Sequence, residues 1–266
     1  MSITRKYLAV ARVNYFTSVN YLVNVASRGL VVALRVWIFA QLYRATYNLS
    51  GEESIGGLTL PMVIWGLMLT QSFQSATRPP VARLIEDEVK SGTLAYSLNK
   101  PVFYPLFHCA GYLGRILPNI LFNLAVGGLA ALILVGPINW TVGGFILGLW
   151  LLFFGYILDF LIFFIIGLLS FWIEDISAFI WIYSKAQLVL GGLILPISLF
   201  PEAIRKVAEL TPFTQLYYGA ARLMVQFDLP TFFRFFSVQL FWLLVFGLTA
   251  WFVFRKGLKQ VAINGG

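Results

Sequence analysis

The sequence predicts an all-α membrane protein of six transmembrane helices in a single domain over residues 1–266, and three observations carry that reading. Of its 266 residues 59% are hydrophobic, 17% aromatic and only 11% charged, with a mean hydropathy of +0.83. A typical soluble domain is about 25% charged. Six apolar runs, at roughly 21–43, 59–77, 107–135, 142–171, 178–199 and 232–254, are each close to or beyond the ~20 helical residues needed to cross ~30 Å of hydrocarbon. Lys and Arg gather on alternate connections: ten lie before residue 13, between 78 and 100, or in the tail, against Arg44, Arg205, Lys206, Arg222 and the borderline Arg234 on the opposite connections. Cytoplasmic connections carry such an excess, so both termini are expected in the cytoplasm.

The net charge of +8 therefore orients the chain in a bilayer, and no nucleic-acid partner is expected. One cysteine, Cys109, excludes an internal disulfide, and one histidine, His108, argues against a metal centre. At the N-terminus, MSITRKYLAVARVNYF has no small-residue cleavage site after a compact apolar core. Arg5 and Arg12, seven apart, share one helical face, which reads as an amphipathic helix over 1–18 lying on the cytoplasmic leaflet.

Between spans two and three, residues 78–102 break the apolar pattern with RLIEDEVKSGTLAYSLNKPV. Pro79 and Pro80 precede a helix from Arg83 to Lys90, Glu86 and Lys90 stand four apart in the favourable order, and Gly92 supplies a left-handed stop after Ser91. Thr93 to Leu98 resumes an apolar pattern before Pro101. The product is a short rigid element tied to two membrane helices, able to transmit force. Residues 200–231 are neither span nor plain loop: Pro201 and Glu202 open a helix that Pro212 interrupts, and LYYGAARLMVQF resumes one. Two short re-entrant or interfacial helices on the extracytoplasmic side are expected there. Gly127, Gly128, Gly191 and Gly192 would allow close helix contact.

Charged residues also fall within the spans, where each costs about 2.5–3.5 kcal/mol at a helix centre unless partnered or hydrated. Arg28 and Lys185 are placed to snorkel towards cytoplasmic headgroups. Arg35 and Asp159 lie deeper, either as a structural pair or along a substrate path, and Arg28 with Arg35 shares a face that an anionic headgroup or a partner subunit could meet.

The run EDEVKSGTLAYSLNKPV resembles the signature of the type 2 ABC-exporter permeases, the daunorubicin-resistance-like group: an acidic helix ending in Lys or Arg, Ser and Gly, then Thr-Leu and a closing Pro-Val. ILPISLFPEAIRKVAELTPF is similar to that family's apolar, Phe-Pro-containing turn after the fifth span. With the six-span layout, the resemblance covers nearly the whole chain. It implies the transmembrane subunit of an ATP-driven exporter in a bacterial inner membrane, moving a hydrophobic or amphipathic compound outward. No G-x-x-x-x-G-K-[ST] occurs in the chain. No cofactor is therefore expected in this subunit, ATP and Mg being held by the partner. The resemblance further implies two ABC ATPase subunits, a second permease, identical or homologous, and membrane lipids as partners. Carried over by residue, Arg83, Glu86, Asp87, Glu88 and Lys90 would supply the charged part of a coupling helix seated in the ATPase, Gly92 its tight exit, and Thr93 and Leu94 its anchor.

Two other classes stand beside this one. A membrane-embedded lipid-modifying enzyme would need a nucleophile with a base or a cluster of His and acidic ligands, which one His, one Cys and Asp159 do not supply. A secondary transporter or channel working without ATP often breaks its helices at mid-membrane, and here only Pro118 falls near a span centre.

Overall fold

A computed structural model describes residues 3–20, 22–77 and 80–264. Eleven helices make up about four fifths of the described chain: α1 (Ile3–Asn20), α2 (Leu22–Ser50), α3 (Leu60–Ser75), α4 (Val81–Lys90), α5 (Leu94–Leu98), α6 (Tyr104–Val135), α7 (Val142–Leu168), α8 (Ser177–Leu190), α9 (Glu202–Leu210), α10 (Tyr218–Val225) and α11 (Leu229–Asn264). A two-residue antiparallel ribbon, β1 (Ser54–Ile55) with β2 (Leu58–Thr59), joins α2 to α3.

Among the described residues three helical segments have the length and apolar composition to cross a membrane: Tyr104–Val135, Val142–Phe171 and Leu229–Gln260. The other three expected spans differ in ways their residues explain. α2 has the length, at 29 residues, but its mean hydropathy is lowered by Asn24, Ser27, Arg28, Arg35 and Arg44. α3 has 16 residues and α8 has 14. At 1.5 Å per residue they run only about 24 and 21 Å. The segment expected as one helix over 178–199 stops at Leu190, because Gly191 caps it, Gly192 turns to φ +68°, and Pro196 cannot continue it.

α7 is the axis of the bundle. It is polar almost nowhere, lies mostly within the protein, and packs against α4, α10 and α11. α6 gathers α1, α2 and α3, with Gly127 letting α2 and α3 approach it; a Cβ there would come 2.9 Å from Val32 and 3.2 Å from Met68. α3 and α10 close the gap between the two groups, and Tyr156 of α7 donates to the Phe73 carbonyl of α3 at 3.1 Å. α1 lies along the first turns of α6: Lys6 donates to the Pro101 carbonyl at 3.1 Å and the Phe103 N–H donates to the Tyr7 hydroxyl at 3.0 Å. α6 has 32 residues and runs about 48 Å, so those turns can stand outside the hydrocarbon while the remainder crosses it. Of the two short helices after α8, α9 is largely exposed whereas α10 is buried along its whole length between α3 and α7.

One contact decides where the charged segment sits. α4 lies on the end of α7 with Val81, Ala82 and Ile85 fully buried, and a Cβ on Gly167 would stand 2.8 Å from the Ile85 Cδ1 and 3.0 Å from the Ala82 Cα. The second of these is a backbone atom, so any side chain at 167 must push the helix itself. Gly167→Val should cost about 1–3 kcal/mol, read as a lower melting temperature in detergent. Gly128→Ala, whose Cβ would rest 3.9 Å from Trp65, should leave it unchanged.

Candidate functional site: the charged segment and the polar residues of the bundle

α4 starts after Pro80, whose extended backbone sets the turn, and runs Val81–Lys90. Its apolar residues fall on one side and its charges on the others, which is what a helix lying on a bundle's end requires. Ser91 caps it by donating its N–H to the Asp87 carbonyl at 2.9 Å, and Gly92 takes φ +72°, the left-handed turn that glycine adopts without a Cβ penalty. The Thr93 hydroxyl lies 2.8 Å from that of Ser91, and Leu94 is buried, so the chain leaving α4 is pinned at once.

The acidic residues do two different jobs. Glu86 is 1% exposed. Its carboxylate accepts from Arg83 at 2.7 Å, from Lys90 at 2.9 Å and from the Ile176 N–H at 3.3 Å. Arg83 donates in turn to the Ser177 hydroxyl at 2.8 Å, with Asp175 4.0 Å away. Glu86 therefore bolts α4 to the corner between α7 and α8. Glu88 faces the other way, accepting from the Tyr104 hydroxyl at 2.8 Å and from Ser97 at 3.2 Å, with His108 Nε2 at 3.5 Å and not hydrogen-bonded. That joins α4 to α5 and to the start of α6. Of the acidic residues in α4 only Asp87 is fully exposed, and it shares the open surface with Lys90, Ser91, Gly92, Thr93 and Tyr96. Ser97, Tyr104, Ile176, Ser177 and Gly167 belong to this site and were not singled out by the sequence, since each is an ordinary residue made relevant by a partner distant along the chain.

Burial works to raise the pKa of both carboxyls, but for Glu86 the hydrogen bonds from Lys90, Arg83 and Ile176 outweigh it, and for Glu88 the neighbouring His108, Tyr104 and Ser97 do. Both titrate below the ordinary value of 4.5.

Among the charges expected inside the spans, the side chain of Arg28 lies outside the described part of the structure. Asp159 of α7 is fully buried and accepts from Tyr112 of α6 at 2.7 Å, and from Tyr183 at 2.8 Å and Gln187 at 3.1 Å, both of α8. Arg35 of α2 donates to Gln71 of α3 at 2.6 Å. Among the described contacts Arg35 and Asp159 form no ion pair: the carboxylate ties three helices together through neutral donors, while the guanidinium faces a cavity of about 460 Å³ lined by Gln71, Gln74, Ser184, Lys185 and Leu188. Lys185 is exposed at that cavity, its ammonium 5.6 Å from the centre of the Trp181 ring.

Two outcomes test these assignments. Because Glu86 and Glu88 have lowered pKa values, the stability they lend α4 is complete above the ordinary carboxyl value and is lost as pH falls through their own lower values. A fluorophore on Ser91→Cys, in a Cys109→Ala background, should report release of α4 only as pH falls below the ordinary carboxyl value of 4.5, and Glu86→Gln should show the released signal already at neutral pH. Asp159→Leu strands three buried donors at about 1–3 kcal/mol each and should lower the melting temperature far more than Asp159→Asn, which keeps an acceptor.

A search of curated proteins returned no match. The family model described as ABC-2 family transporter protein matches residues 35–265, from the middle of α2 to the end of α11. That match takes in the charged segment, its seat on α7 and most of the polar cavity, and permeases of this family work with an ABC ATPase subunit. The chain belongs to the ABC-2 transporter family, as a multi-pass membrane permease.

Proposed function

We propose that this chain is the transmembrane subunit of an ATP-driven exporter and that α4, with its exit into α5, is the element gripped by a separate ATPase. The observation that carries the reading is the division of labour in α4. Glu86 and Glu88 fasten the helix to α6, α7 and α8, while Asp87, Lys90, Ser91 and Tyr96 stay open to a partner. An element fixed so firmly on one side passes displacement to the helices it is fixed to, and α7, the axis of the bundle, receives it first. The contacts with the ATPase then fall to Asp87, Lys90, Gly92, Thr93 and Tyr96, with Arg83, Glu86, Glu88 and Leu94 as the mounting. ATP and Mg sit in the ATPase.

A six-span arrangement with both termini cytoplasmic is supported by three long apolar helices, by the length of α2, by the irregular chain at 191–196 that extends the reach of α8, and by the distribution of Lys and Arg. Membership of the daunorubicin-resistance-like group rests on the resemblance of 86–102 and 194–213. Two ATPases and a second permease, identical or homologous, complete the transporter, in a bacterial inner membrane, and it moves a hydrophobic or amphipathic compound outward by alternating access.

Affinity purification of the chain from its native membrane, followed by peptide mass identification, should recover a Walker-motif ATPase. Asp87→Lys and Tyr96→Ala together should lower that recovery at least about tenfold, the equivalent of about 1.4 kcal/mol, with insertion and melting temperature unchanged. Recovery of the chain with no ATPase, or with ATPase undiminished by the substitutions, would overturn the assignment.

A further inference from the structure

The cavity bearing Arg35 is not isolated. A second cavity, of about 580 Å³, opens between α4 and α8 and is lined by Arg83, Ser177, Ile180, Trp181, Ser184 and Lys185. Ser184 and Lys185 belong to both walls, so the two cavities adjoin along α8. Their cations come from three elements: Arg83 on α4 at one end, Lys185 on α8 in the middle, and Arg35 near the midpoint of α2 at the other. Hydroxyls of Ser27, Ser75, Ser177 and Ser184 and the amides of Gln71 and Gln74 supply most of the remaining polar surface. Among the described residues no Asp or Glu lines either cavity; at the α4 end Glu86 and Asp175 stand 2.7 and 4.0 Å from Arg83. Val31, Leu188 and Leu193 line the Arg35 end with apolar surface.

We infer that the two cavities act as one groove that takes the acidic headgroup of an amphiphile, a carboxylate, sulfate or phosphate, which moves from Arg83 by way of Lys185 to Arg35 while its apolar part follows Val31, Leu188 and Leu193. An anion accompanied by apolar surface matches a groove that sets cations, hydroxyls and apolar side chains side by side. Hydroxyls and amide N–H groups donate to anionic oxygens between the cations. This rests on the exporter reading and names its substrate class. The groove accepts such a headgroup from a transported compound or from a membrane lipid, and the chemistry is the same.

The probe is dibromostearate, an acidic amphiphile that quenches tryptophan, compared with its uncharged methyl ester. It is added to the full chain in phosphatidylcholine nanodiscs, and the Trp181 contribution is obtained by difference from Trp181→Phe. The acid should bind about tenfold more tightly than the ester, as one charge-assisted hydrogen bond would give. Arg35→Gln with Lys185→Gln should remove the preference, Lys185→Arg should retain it, and Arg255→Gln on α11 should not affect it. Displacement of the acid by phosphatidylglycerol supports the proposal and gives the headgroup a lipid source. Retention in phosphatidylglycerol supports it and leaves the transported compound as the source. Equal affinity for acid and ester, an undiminished preference in the double variant, or displacement by inorganic phosphate with none by phosphatidylglycerol would overturn it. ATPase recovery is read on the same preparations: a chain that keeps its partner and treats acid and ester alike sinks this inference alone, and one that prefers the acid without any ATPase sinks the exporter reading alone.

Discussion

A single carboxylate holds together the end of the bundle on which α4 lies. Glu86 is buried, and it is tolerable there only because Arg83, Lys90 and the Ile176 amide all donate to it. An ion taken from water needs that degree of compensation, and a helix that provides it becomes inseparable from its surroundings. With apolar contacts alone, α4 would rest on Gly167 by shape and could slide. Through Glu86 it is keyed to the α7–α8 corner, and through Glu88 to α5 and α6. The charges that make this segment look foreign among apolar runs are thus largely turned inward.

The bundle behind it repeats the same device at a second level. Asp159 draws Tyr112 and Tyr183 onto one carboxylate from the helices on either side of α7. α7 therefore carries a polar fastening at its centre and another at its end, with apolar packing between. Displacement of α4 reaches α7 by contact at Ile85 and Ala82, and reaches α6 and α8 by hydrogen bonds. Helices linked in this way move as a group.

Much of this was legible in the sequence. The long apolar helices follow from hydropathy, and the turn at Gly92 follows from a glycine placed after a polar helix end. The short helices at 202–210 and 218–225 follow from the prolines around them. What could not be read is direction. Nothing in EDE distinguishes an inward Glu86 from an outward Asp87, because the distinction is made by the N–H of Ile176, a residue 90 positions away that carries no signal of its own. The length of α8 was misjudged for a related reason: LGGLILP is apolar enough to continue a span, and hydropathy does not register that Gly192 turns the backbone out of the helix. Arg35 and Asp159 drew notice together as buried-looking charges of opposite sign, yet side-chain reach to Gln71 in one case and to two tyrosines in the other separates them.

The grip of α1 on Pro101 and Phe103 has a mechanical meaning beyond packing. Those residues lead from α5 into α6, and the helix that holds them carries Arg5 and Arg12, both exposed. In the proposed exporter, swelling, thinning or recharging of a leaflet in contact with α1 would pull on the same residues, and the lipid surroundings would then set how stiffly the subunit resists being driven.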